Sequence, residues 1–154
     1  MFDDPYSPED LLSDVHSKDL HEDVSSQLRI AYLKDADKNS TSKSSGIVYG
    51  PHNRVFVATV LRKGGRSKYV HFLVDTGSPY TYICNEVLQS FNIAAPDPKT
   101  SIRIHLNDMP TTAMQSHGHF IDINLLGTDF MKTFGCVLTV DFEKGTASLV
   151  PNPD

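Results

Sequence analysis

The sequence predicts an all-β domain with short helices, preceded by a polar extension that carries a helix of its own. Three observations point there. Residues 55–61 and 69–74 are β-rich runs flanking Lys63-Gly64-Gly65-Arg66-Ser67, a glycine turn that makes them a hairpin. Ile102, Ile104 and Leu106 alternate as in a strand, Asn107-Asp108 supplies a turn, and residues 111–115 return. Residues 137–142 and 146–150 face each other across Glu143-Lys144-Gly145 as a closing hairpin.

Taken from the N-terminus, Ser7-Pro8-Glu9-Asp10 is a helix start with proline at the first helical position. Leu11, Leu12, Val15, Leu20, Val24, Leu28 and Ala31 fit one apolar stripe, so a helix over 8–33 is expected. Residues 35–45 are rich in Ser, Lys, Asp and Asn without hydrophobic periodicity, which is linker chemistry. The chain therefore divides into an extension over 1–45 and a folded domain over 46–154. A solvated extension is the favoured reading of 1–45, ahead of a dimerisation or targeting arm or a precursor stretch removed by self-cleavage. Further on, residues 85–91 make a short helical turn before the Pro96-Asp97-Pro98 break. Residues 130–134 form a short helix that Gly135 ends.

At 154 residues the chain suits one domain with a real core, and its 39% hydrophobic content is diluted by the polar N-terminal part. A net charge of -5 argues against binding a nucleic-acid backbone. No long apolar segment or signal peptide is visible, so no membrane partner is expected and the location should be intracellular, in the cytoplasm. Cys84 and Cys136 lack metal spacing and a disulfide-dense context, and both read as small core residues. His117 and His119 could face one side of a strand, but no third ligand is near in sequence. Neither metal nor other cofactor is expected.

The most informative segment is 72–83, Phe-Leu-Val-Asp-Thr-Gly-Ser-Pro-Tyr-Thr-Tyr-Ile, where an apolar strand delivers Asp75 into a tight turn. Two carboxylates that share one proton can hydrolyse a peptide bond without a metal: the ionised one takes a proton from water while the other protonates the carbonyl oxygen. Such groups must nearly touch, so each needs rigid support. Leu73 and Val74 anchor the strand, Gly77 permits the turn, and the Thr76 hydroxyl can lock it. Ser78 adds a donor close to Asp75; pointed at the carboxylate, it would favour the ionised form and an acidic working range. The sequence holds one Asp-Thr-Gly, so the second aspartate must come from a second copy on a two-fold axis.

Together with residues 123–142, Ile-Asn-Leu-Leu-Gly-Thr-Asp-Phe-Met-Lys-Thr-Phe-Gly-Cys-Val-Leu-Thr-Val-Asp-Phe, this segment resembles the retropepsins, the single-motif aspartic proteases of retroviruses, retrotransposons and some cellular proteins. The resemblance covers about residues 54–150. It implies a closed β-barrel, a homodimer and a peptide or polyprotein substrate. By the same resemblance Asp75 is catalytic, Thr76 interlocks the two active-site loops, and Gly77 offers its backbone to substrate. Thr81 matches a frequent threonine six residues on, and Leu125, Leu126 and Gly127 match the strand crossing behind the catalytic loop. The closing hairpin is the natural candidate for an intersubunit sheet, and Cys136 falls where some retroviral enzymes carry an interface cysteine.

Two departures stand out. Pro79 and Thr128 replace the acidic residue and the arginine of the retroviral ion-pair network, and the stretch from Asp75 to Gly127 is shorter than usual in the family. One hairpin is therefore abbreviated. The candidate flap is the hairpin within 101–116, with Leu106, Asn107, Asp108 and Met109 at its tip as substrate-binding residues; an ordinary core hairpin is an equal reading. Asp122, Asp129 and Asp141 lack a following Thr-Gly turn and do not replace the second catalytic aspartate. The alternative function is a retropepsin-fold module, weak or silent in catalysis, that dimerises or binds peptide.

Overall fold

The computed structural model describes residues 14–37, 42–94, 97 and 99–152. Within them lie nine strands: β1 (Ser44–Tyr49), β2 (Arg54–Lys63), β3 (Arg66–Val74), β4 (Tyr82–Ile83), β5 (Ile102–Leu106), β6 (Met109–Gln115), β7 (Leu125–Leu126), β8 (Val137–Asp141) and β9 (Thr146–Val150). Four short α-helices accompany them: α1 (Ser17–His21), α2 (Asp23–Leu28), α3 (Asn85–Ser90) and α4 (Thr128–Thr133).

The hairpin expected around Gly64-Gly65 forms, with β2 and β3 paired from Lys63↔Arg66 to Phe56↔Leu73. Both glycines have positive φ, 58° and 79°, which a two-residue hairpin turn requires. From this hairpin the pairings close on themselves. β3 runs parallel to β7, β7 meets β4 at Tyr82↔Leu125, β4 runs parallel to β6, β6 pairs with β5, and β5 returns to β2 at Leu61↔Leu106. Six strands therefore form a closed circuit, the barrel arrangement. β2 is shared: its first half pairs with β1, which leads through β9 to β8 at the sheet's edge.

Burial drives the closure. The end of β3 is covered on both faces, with Val70, His71, Phe72 and Leu73 all buried against Phe56, Val57, Leu125, Leu126 and Phe130. The closing hairpin and the short helix after Gly127 sit where the sequence places them. Gly135, at φ 57°, ends α4 and donates its N–H to the Lys132 carbonyl at 3.2 Å.

The N-terminal part departs from expectation. No continuous helix crosses residues 14–33: α1 and α2 are separated at Glu22 (φ -103°, ψ -91°), and Arg29 turns left-handed at φ 60°. Nor is the segment solvated. Val15, Leu20, Val24 and Tyr32 are buried in the same core as Phe56 and Phe72. The chain then joins the sheet where linker was expected, with Leu33 N–H donating to the Tyr69 carbonyl (2.8 Å), Tyr69 N–H to Lys34 (2.9 Å) and Ala36 N–H to Ser67 (2.8 Å). Polar ties fasten it further: Arg54 to Asp14 at 2.9 Å, the Tyr49 hydroxyl to Asp19 at 2.7 Å, and His21 to Glu86 at 2.9 Å. The helix start at 7–10, Leu11, Leu12, the middle of the expected linker, Pro96 and Pro98 lie outside the described residues. Among the described residues no helix is long and apolar enough to cross a membrane.

Candidate active site

Asp75 stands where β3 ends. Its backbone is fixed from behind by β7: Leu73 N–H donates to the Asn124 carbonyl at 2.9 Å, and Asp75 N–H to the Leu126 carbonyl at 3.0 Å. The chain then folds back at once, with Ser78 N–H donating to the Asp75 carbonyl at 3.1 Å. Inside this turn Gly77 N–H donates to Asp75 Oδ1 at 3.0 Å, which holds one carboxylate oxygen; the other has no protein partner among the described residues. Asp75 is half-buried, whereas Thr76 and Gly77 are exposed. The Thr76 hydroxyl makes no hydrogen bond among the described residues, so it does not lock the turn as the sequence allowed.

Gly127 sets the depth of the loop. A Cβ there would lie 2.1 Å from the Tyr80 carbonyl oxygen and 2.9 Å from that of Ser78, so the close approach of the two segments requires glycine. Thr128 continues the seam, donating its N–H (2.8 Å) and hydroxyl (3.3 Å) to the Ser78 carbonyl. Where retroviral enzymes place an arginine, this chain thus uses a neutral threonine to hold the loop. Thr81 Oγ1 accepts from Gly127 N–H at 3.1 Å and donates to Asp129 Oδ1 at 2.8 Å.

Two expectations need correcting. The Ser78 hydroxyl donates to the Tyr80 carbonyl at 2.7 Å, because the turn aims it along the loop; the argument from Ser78 to an acidic working range loses its basis. Leu106, Asn107, Asp108 and Met109 form the tip of the β5–β6 hairpin, but this tip is seated in the sheet. Asn107 Oδ1 accepts from Val60 N–H at 2.9 Å, its Nδ2 donates to Ser44 Oγ at 2.7 Å, and both Leu106 and Asn107 are buried. Val60 pairs with Tyr69, six residues before Asp75 and so about 20 Å away along an extended strand. The hairpin is a barrel element. The structure therefore brings Asp75, Thr76, Gly77 and Ser78 together with Leu125, Leu126 and Gly127, and leaves 106–109 elsewhere.

One supporting group had no signal in spacing or motif. Asn124, fully buried just before β7, accepts from Cys84 N–H at 2.9 Å and donates to the His71 carbonyl (3.0 Å) and the Tyr32 hydroxyl (2.8 Å). A single amide thereby ties strand β3, the start of α3 and the N-terminal segment. Burial pushes the Tyr32 hydroxyl well above its ordinary range and raises the Cys84 and Cys136 thiols too, which disfavours the thiolate form at both. His117 packs against Tyr82 (5.5 Å between ring centres) and Phe120 (5.1 Å). Among the described residues no three His, Cys, Asp or Glu side chains converge as a metal site.

Among solved structures, the chain is similar to the crystal structure of a retropepsin-like aspartic protease from Rickettsia conorii, with 18% sequence identity and a TM-score of 0.50. The match covers 74% of this chain and 96% of that one. No protein-family model matches the chain, and no curated protein matches it in sequence. At that identity the likeness is one of architecture, and the closed β-circuit around the Asp75 loop is a retropepsin-like all-β fold.

Proposed function

We propose that the protein is an aspartic endopeptidase that works as a homodimer, processing a polyprotein or a cellular client. The observation that carries this reading is the Asp75 turn: a half-buried carboxylate with one oxygen held by Gly77 N–H, on a loop braced from behind by Leu126 and Gly127. Two such turns related by a two-fold axis bring two carboxylates against one water. The ionised Asp75 takes a proton as water adds to the peptide carbonyl carbon, and its protonated twin gives a proton to the carbonyl oxygen. Collapse of the tetrahedral species breaks the C–N bond, and the amine leaves with a proton from the pair. The outward Thr76 hydroxyl suits the interlock between the two loops. The edge strand β8, with Val137 exposed at 60% and Phe142 just after it at 67%, suits the intersubunit sheet. Substrates on this reading are extended, apolar peptide segments bound as an added strand.

One observation favours the silent-module alternative. The described strands all belong to the barrel circuit or to the β1–β9–β8 ribbon, so among the described residues no hairpin is left over to cover the loop. Wild type and Asp75→Asn, compared on a mixed peptide library from pH 3 to 7, decide between the readings. Cleavage should fall at least about a thousandfold in the variant. Equal cleavage by both proteins rejects the assignment, and sedimentation should show the active species at twice the chain mass.

A further inference from the structure

Next along the chain from the Asp75 turn, Tyr80 and Thr81 line a cavity of about 360 Å³ together with Ser101, Thr112, Ala113, Met114 and Asp129. Resting on the protease reading above, we propose that this cavity is a substrate side-chain subsite that takes a basic residue, lysine or arginine, and that Asp129 determines this preference.

The argument starts with how the Asp129 carboxylate is divided. Oδ1 accepts both of its hydrogen bonds, from Thr81 Oγ1 at 2.8 Å and from Phe130 N–H at 2.7 Å. Oδ2 has no protein partner among the described residues, and it is not a sealed atom, since the unpartnered buried side-chain polar atom in this set is His71 Nδ1. Among the described residues neither Lys nor Arg lines the cavity. One oxygen is therefore a structural acceptor that fixes the side chain, and the other is left without a hydrogen bond among the described residues on a side chain that lines the recess. A cation entering it gains a charge-assisted hydrogen bond and keeps its methylene stem on Tyr80 and Met114. The position suits a peptide lying across the site. Tyr80 is five residues from Asp75, a chain distance of at most about 18 Å, and an extended peptide advances about 3.3 Å per residue. A side chain within about five positions of the cleaved bond reaches the recess.

The test uses matched peptides that differ at one position, lysine against norleucine, scanned across the cleavage site. Wild type should prefer lysine about tenfold in kcat/KM at one position, and the preference should shrink at high salt. Asp129→Asn keeps an oxygen to accept from Thr81 and Phe130 while removing the charge, and should bring the ratio to within about twofold. Thr112→Lys, which places a cation of the protein's own in the recess without touching those bonds, should do the same. A lysine ratio unchanged in both variants, or absent from wild type while Asp75-dependent cleavage proceeds, overturns the subsite and leaves the protease reading intact. If no peptide is cut, nuclear magnetic resonance of the Asp75→Asn protein with the lysine peptide separates the two ideas. Shifts at Thr81, Thr112 and Met114 that vanish in Asp75→Asn combined with Asp129→Asn support the subsite where the protease reading has failed. No shifts overturn it.

Discussion

Gly127 bears on the Asp75 loop directly, whereas His71 ties the strand that leads into it to the N-terminal segment. With the Tyr80 carbonyl oxygen 2.1 Å from where its Cβ would sit, Gly127→Ala must push the 78–80 segment aside. We expect a loss of about 2–3 kcal/mol in urea denaturation, together with a fall in cleavage as Asp75 moves off its support. His71 lies on β3, fully buried, with Nε2 3.0 Å from the Ile30 carbonyl. That carbonyl assigns the proton to Nε2, and Nδ1 has no partner, so a second proton would create a buried, unanswered N–H. Burial accordingly lowers its pKa from 6.5 to about 4. The unfolded chain binds this proton first, so stability is full above pH 6.5, falls as pH drops toward 4, and levels below it, a change of about 3 kcal/mol. Denaturation midpoints measured from pH 7 to 4 should show this slope, and His71→Gln should flatten it. The tight turn after Asp75 was legible in the Asp-Thr-Gly-Ser run, and the structure forms it, with Ser78 N–H on the Asp75 carbonyl; the close approach that demands glycine at 127 was not, since it depends on the distant Tyr80 carbonyl. Nor was the direction of the Ser78 hydroxyl, since a serine in a tight turn has several carbonyls within reach.

At the scale of elements, hairpins were readable where turn residues demand a particular backbone. Gly64-Gly65 and Asn107-Asp108 both adopt the left-handed conformations their types favour. Where a hairpin docks is another matter, because alternation looks the same over a substrate as inside a barrel. The buried Asn107 amide, bonded to β2 and to Ser44, decides it, and nothing local announces those partners. The N-terminal helices were misjudged for a related reason. Leu20 and Val24 keep helical spacing, but the break at Glu22 and the backbone pairing of 33–36 with β3 are tertiary choices that override the stripe. Tyr32→Phe tests how far this segment supports the site. It strips one partner from the Asn124 amide, so stability should drop by about 1–2 kcal/mol, and hydrogen exchange of the Cys84 N–H, bonded to the same amide, should quicken.

For the whole molecule, the branch at β2 matters most. This one strand borders β3 along one edge and divides the other between β1 and β5, so the closing ribbon that would meet a second copy connects through it to the strand bearing Asp75. No pattern in the sequence revealed that sharing, although the strands themselves were visible. On the proposed dimer, Val137→Lys at the open edge of β8 should shift sedimentation toward single-chain mass and make activity depend on the square of concentration at low protein. The N-terminal segment carries a practical consequence for anyone preparing this protein. A version trimmed to begin at residue 44 would take Val15, Leu20, Val24 and Tyr32 out of the core they share with Phe56 and Phe72, exchange a covered patch for a greasy one, and should collect in the insoluble fraction of a lysate; one that starts upstream of Asp14 keeps them.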